Sequence, residues 1–193
     1  MDWQERYAGR VLPPEAFEGA ALEVARELVE GGVLLCRQVD GEVQRWAVTE
    51  AEAYIGSEDR ACHAFQRRTP RNEVMFGPPG HWYVYLCYGV HWLLNIVTGP
   101  PDFPAAVLIR GASHTYGPGR LTKALAIDGT LNTLPATAES GLWLEYPREA
   151  ARAPVTATPR IGIDAAGADW ALRPYRFVTG SEARKKVRSK WLT

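Results

Sequence analysis

Cysteine is scarce. The three that occur, Cys36, Cys62 and Cys87, are odd in number and form no C-x-x-C pair. That argues against a disulfide framework and against a zinc site, and it makes a reducing, bacterial-type cytoplasm the default expectation. Long apolar stretches are lacking too: no run approaches the ~18 residues that a membrane span needs. The opening residues, MDWQERYAGR, hold no apolar segment of the kind a secretory signal carries. Net charge is also missing, since 22 basic residues balance 22 acidic ones, and the total alone argues against a nucleic-acid binder. Repeats and low-complexity segments are absent. What remains is 193 residues, 46% hydrophobic and 23% charged, enough for a folded domain with its own core. One domain over 1–193 is expected, with less ordered ends at 1–14 and 184–193.

The charge is unevenly spread. Five basic residues lie between Arg184 and Lys190, and Arg67, Arg68 and Arg71 form a second cluster. Local patches steer polyanions even when the total cancels, although a basic tail that only keeps a protein soluble fits the first run equally well.

The pattern along the chain predicts an α+β fold: a curved, mostly antiparallel sheet built from hairpins and flanked by short helices. Pro13 and Pro14 open an amphipathic stretch with Phe17, Ala21, Leu22, Ala25, Leu28 and Val29 on one face, read as one helix ending at Gly31-Gly32. VLLCR and VQRWAVTE flank Asp40-Gly41, a strong hairpin signal. Residues 57–80 read as a long ordered loop, and such loops are often functional. HWYVYLCYGVHWLLNIV predicts a second hairpin turning at Gly89. PAAVLIRGA, GLWLEY, TPRIGI and YRFVTG are further strand candidates, and GPGRLTKALAI a short helix after turn residues.

The first hairpin delivers Glu50 and Glu52 near the end of its return strand, where alternation puts them on one face with Tyr54. Two carboxylates there repel unless one reaches solvent or a base. Glu52 is either an exposed strand-end carboxylate or a general base walled by Tyr54, His63 and Tyr85. Tyr88, just before the turn at Gly89, is either a wedge that enters DNA between bases or a tyrosine packed across its own hairpin. Seven of the chain's twenty aromatics fall between His63 and Asn95, beside Arg67, Arg68 and Arg71; that mixture suits base stacking next to phosphate contacts, and it also suits a core. GPGRLTK could set Arg120 near a phosphate, but it is no Walker motif. Glu58, Asp59 and His63 lack metal-ligand spacing, so no metal is expected.

EAEAYIGSEDRACH, TPRNEVMF, GHWYVYLCYGVHWLLNIV, AVLIRGA and GPGRLTKALAI, in this order from about Ala20 to about Ser181, resemble the mammalian-type alkyladenine (3-methyladenine) DNA glycosylases. The resemblance implies a bacterial-type, nucleoid-associated, monomeric and monofunctional repair enzyme acting on double-stranded DNA, with no cofactor and no metal. Its substrates would be 3-methyladenine and 7-methylguanine, with the neutral lesions hypoxanthine and ethenoadenine as further candidates. By the same resemblance Glu52 activates water and Arg110 stands near that water. Tyr54, His63 and Tyr85 stack the extruded base, Asn95 and Leu108 line the pocket, and Tyr88 intercalates, joined at the intercalation site by Met75 on the DNA-facing surface. Arg71 and Arg120 are the backbone contacts expected from the basic clusters. Two departures stand out: the connection after Arg110 is only GASHTY, and the family's serine and lysine are replaced by Gly119 and Arg120. The rival readings are a DNA-binding module that has lost catalysis and a hydrolase of free nucleosides, which would leave Tyr88 without a role.

Overall fold

The computed structural model describes residues 2–150 and 152–180. Its elements run α1 (Trp3–Tyr7), β1 (Arg10–Val11), α2 (Ala21–Glu30), β2 (Leu34–Val39), β3 (Glu42–Tyr54), β4 (Trp82–Cys87), β5 (His91–Thr98), β6 (Ala105–Ala112), β7 (Thr115–Tyr116), α3 (Pro118–Ala124), β8 (Leu142–Tyr146), β9 (Val155–Thr158), α4 (Ala168–Ala171) and β10 (Arg176–Thr179). The strands form one antiparallel sheet in the order β1-β8-β2-β3-β6-β5-β4, with β10 between β3 and β9, and β7 beside β6. This is the α+β arrangement expected from the pattern.

Long β3 organises the sheet. Its first half pairs with β2, and its second half lies between β6 and β10. Asp40 and Gly41 both have positive φ (50° and 82°), as the tight hairpin turn between β2 and β3 requires. One face of the sheet buries Ala51, Ala53, Trp82, Val84, Leu94, Ile96, Val107, Ile109 and Phe177 in a core completed by α1 and α2. From α2, Val24, Ala25, Leu28 and Val29 point into this core. Leu28 is fully buried, and a burial of that kind is worth about 1.5–3 kcal/mol.

Three expectations need correction. The predicted first helix is broken: Pro14–Phe17 is a separate 3₁₀ turn and α2 begins only at Ala21. Gly19 sits in the break, where its lack of a side chain disfavours helix. TPRIGI is not a strand, because β9 ends at Thr158 before Pro159, which has no N–H to donate to a ladder. The N-terminal stretch is not a loose end over its described residues: Asp2 caps α1, and Trp3, Tyr7 and Leu12 are buried in the core. Residues 184–193, with their basic run, lie outside the described residues. The stretch read as a long loop is confirmed as such, with one 3₁₀ turn at Glu73–Phe76. Among the described residues no helix is long and apolar enough to cross a membrane, and all three cysteines are free.

Candidate active site

The register of the sheet assembles the site. Directly opposed residues of antiparallel strands project from the same face. The pairs Arg176–Glu52, Glu52–Leu108, Leu108–Asn95 and Asn95–Tyr83 therefore form one row across β10, β3, β6, β5 and β4. Steps of two along the strands add Glu50, Tyr54, Arg110, Leu93 and Tyr85 to that face, away from the main core. Between β3 and β6 the register slips at Glu50, opposite Gly111, and returns at Ala51, opposite Ile109. Here Arg110 Nε comes 2.8 Å from Glu50 Oε1 and 3.3 Å from Glu52 Oε1.

Glu50, at the centre of this cluster, accepts from Arg110 and from Arg176 Nε at 2.6 Å. Burial pushes its carboxyl up, and the two guanidinium groups more than reverse this, holding it below the ordinary carboxylate value. Arg110 is treated in the mirror sense: burial disfavours its charge, while Glu52 and Glu50 raise its pKa above the ordinary value.

Glu52 is not an exposed strand-end residue. It is fully buried, with Oε1 accepting from the Ile161 amide at 2.8 Å and Oε2 from the Tyr54 hydroxyl at 3.0 Å. Burial and the Glu52 charge both push the Tyr54 phenol far up, so it is a proton donor at neutral pH. Arg110, Tyr54 and Ile161 all line a cleft of about 1120 Å³, which places Glu52 directly behind them.

The opposite wall is aromatic. His63 Nδ1 lies 2.7 Å from the Tyr83 hydroxyl, and its ring centroid is 4.6 Å from that of Tyr85. Tyr83 and Tyr85 sit at 5.1 Å. Burial raises Tyr83 to about 12, with the positive charge of Arg71 working the other way. The 2.7 Å contact ties the His63 ring to the Tyr83 hydroxyl, and which of the two donates depends on the His63 tautomer. The apolar surroundings and then Arg71 lower the His63 pKa, so the ring is neutral at neutral pH. Leu108 and Asn95 complete the floor, and Asn95 Nδ2 donates to the Tyr83 carbonyl at 3.0 Å.

At the mouth of the cleft the β4–β5 hairpin turns on Tyr88 and Gly89, both with positive φ (50° and 69°). Tyr88 is 93% exposed, so it does not pack across its hairpin. Arg120, in the first turn of α3, lies at the same mouth and is exposed. The GASHTY connection is itself a tight hairpin: Gly111 pairs with Tyr116 and Ala112 with Thr115. At Gly119 a Cβ would fall 2.8 Å from His91 Cγ, so a serine there would need His91 to move.

Two expected roles do not fit their positions. Met75 lines the cleft but is only 2% exposed and packs with Cys62, Ala64, Tyr83, Val97 and Ala106, a position suited to supporting the aromatic wall rather than to entering a base stack. Arg71 is exposed, yet its guanidinium lies 5.2 Å from the Tyr85 ring centroid and donates to the Leu86 carbonyl at 3.1 Å. It is tied into the wall, which limits its reach to a phosphate. Sequence reasoning missed Tyr83, Arg176, Ile161 and the pair Asp59–Arg160. Asp59 was weighed only as a metal ligand; it is buried and salt-bridged to Arg160 at 2.6 Å, while Glu58 is exposed. Among the described residues no group of His, Cys, Asp or Glu side chains gathers that could hold a metal ion.

An aromatic-lined cleft with a buried carboxylate behind it and an exposed tyrosine at its mouth suits a DNA glycosylase, a repair enzyme that hydrolyses N-glycosidic bonds. Comparison with known proteins narrows the class. The family model for methylpurine-DNA glycosylase (MPG) matches residues 15–183, and the chain belongs to that family. Relatives named as 3-methyladenine DNA glycosylases include one from Methanocella arvoryzae, 42% identical over 187 residues, covering 86% of this chain and 91% of its own length. One from Psychrobacter cryohalolentis is 40% identical, covering 84% and 90%. Another, from Anaeromyxobacter dehalogenans, is 43% identical, covering 85% and 80%.

Proposed function

We propose that this enzyme excises 3-methyladenine from double-stranded DNA, and with it 7-methylguanine, hypoxanthine and ethenoadenine, leaving an abasic site. It works as a monomer in the cytoplasm, on nucleoid DNA. The observation that carries the reading is Glu52: a fully buried carboxylate held by Arg110, Tyr54 and the Ile161 amide at the back of an aromatic cleft.

In this reading Tyr88 enters the base stack and fills the space of the nucleotide that swings out. Unstacking costs a few kcal/mol, least for a weakened base pair, so damaged sites open first. The base slides between Tyr54 on one side and His63 and Tyr85 on the other. A cationic methylated purine gains a further cation–π contribution from these rings. The N-glycosidic bond breaks with positive charge developing on the sugar, as in glycoside hydrolysis generally. Glu52 stabilises that charge and takes the proton of the attacking water. His63, kept neutral by burial and by Arg71, contacts the base without adding positive charge next to a cationic lesion.

Single-turnover base release from methylated duplex DNA tests the assignment. Glu52→Gln keeps the size of the side chain and removes the base; release should become undetectable while lesion-duplex binding persists. Release by this variant at the wild-type rate would overturn the assignment.

A further inference from the structure

Arg160 and Asp59 are each almost completely buried, and neither lines the cleft. Their side chains meet in a two-point ion pair, Nη1–Oδ2 at 2.6 Å and Nη2–Oδ1 at 2.9 Å. The Asp59 carboxylate also accepts from the amides of Ile55 and Ala61 at 3.3 and 3.0 Å. From the other side Arg160 Nη1 donates to the carbonyl of Ala53 at 2.9 Å, the residue between Glu52 and Tyr54. The guanidinium carbon lies 4.7 Å from the centroid of the Tyr54 ring and 5.3 Å from that of Tyr175.

This arrangement is a poor way to gain stability. A buried ion pair is often matched or exceeded by apolar side chains of the same volume. Here Arg160 Nε is in addition buried without a partner, which costs further free energy. What the pair does achieve is position. It ties the segment after β9 to the turn after β3, and the residue that follows Arg160 is Ile161, whose amide donates to Glu52. It also fixes the face of Tyr54, whose hydroxyl holds the other Glu52 oxygen. Two of the three groups around the carboxylate are thus set by one guanidinium.

We infer that Asp59 and Arg160 are positioning residues for excision: through the Ile161 amide and the Tyr54 ring they hold Glu52 in its reactive orientation, without touching DNA or base. The inference rests on Glu52 being the reacting carboxylate.

The experiment compares wild type, Asp59→Asn, Arg160→Lys and Glu52→Gln. Binding is measured to a duplex carrying a tetrahydrofuran abasic analogue. Base release is measured in single turnover on duplex DNA methylated with dimethyl sulfate, with rates normalised to the fraction of protein competent to bind. Asn keeps the shape of Asp59 and loses its charge; Lys keeps the charge of Arg160 and loses the two-point geometry. Both variants should release 3-methyladenine roughly 10- to 100-fold more slowly, the range expected for a disturbed hydrogen bond to a charged group. Their affinity for the abasic analogue should stay at the wild-type value. If normalisation removes the difference in rate, or if rate and affinity fall together, the pair only staples the fold and the inference fails. Should Asp59→Asn not fold, Arg160→Lys decides by the same criterion. An inactive Glu52→Gln beside fully active pair variants would sink the positioning role alone, whereas an active Glu52→Gln would sink the reading beneath it.

Discussion

Replacing Glu50 by glutamine should unfold the protein more readily, and the loss should depend on pH in a defined direction. Glu50 is 3% exposed and accepts from two buried arginines, Arg110 at 2.8 Å and Arg176 at 2.6 Å. Glutamine preserves shape and one carbonyl acceptor but removes the charge that both cations share, leaving Arg110 to Glu52 at 3.3 Å. Breaking a buried ion pair from one side costs about 3–5 kcal/mol. A domain is stable by about 5–15 kcal/mol in all, so this is a large fraction. At roughly 2–4 °C per kcal/mol for a chain of this size, the midpoint should fall by about 6–20 °C at neutral pH. The sign of the pH effect follows from linkage. The arginines hold the folded-state carboxyl below its unfolded value of 4.5. Its stabilisation is therefore complete above that value and is lost as pH falls through the lower, folded value. Glutamine does not titrate, so the gap between variant and wild type should narrow steadily on acidification below about pH 4.5. Denaturant unfolding of both proteins across a pH series, followed by circular dichroism, measures that gap. A neutral-pH difference under about 1 kcal/mol, or a gap that stays constant into the acid range, would refute the reasoning that Glu50 is the anion on which both arginines depend.

The exposed hairpin tip invites the opposite experiment. Tyr88→Ala should leave thermal stability unchanged, since the ring is 93% exposed, yet weaken binding to lesion-containing duplex by about 1–3 kcal/mol, the usual value of one stacked aromatic. Equal affinity in a fluorescence-anisotropy titration would count against the wedge. Gly119→Ser should cost about 1–3 kcal/mol by overpacking against His91, whose Cγ lies 2.8 Å from the new Cβ. Adding His91→Gly, which also removes the His91 Cβ 2.9 Å from the new side chain, should recover most of that loss in a double-mutant cycle, and strictly additive penalties would show that His91 is not the obstacle.

How much of this was legible beforehand depended on whether a residue's role is local. Glu52 and Tyr54 share a strand face by alternation alone, and Tyr88 before Gly89 marks its own turn. The hairpins at Asp40-Gly41 and Gly89 follow from local backbone chemistry. By contrast, Arg176 and Arg160 lie more than a hundred residues from Glu50 and Asp59, their partners, and only sheet order brings them together. Arg110 meets the two glutamates only because β6 pairs with β3, a pairing that no local strand pattern announces. Met75 and Arg71 were misplaced for a related reason: a side chain in an irregular loop has no period from which its direction can be read. Tyr83 was visible as an aromatic of the second hairpin, but its hydrogen bond to His63 depends on how the loop folds back.

The row that crosses β10, β3, β6, β5 and β4 behaves like a reading frame. Inserting or deleting one residue within any of these strands would exchange its cleft-facing residues for its core-facing ones and destroy both surfaces together. The turn at Ser113 and His114 lies outside that frame, because β7 ends the sheet there and pairs only with β6. Chain length can change at this turn without shifting a single residue of the row. The β6–β7 turn is accordingly the place where an engineer could graft a longer loop over the cleft mouth and alter what enters it, leaving the carboxylates and arginines in register.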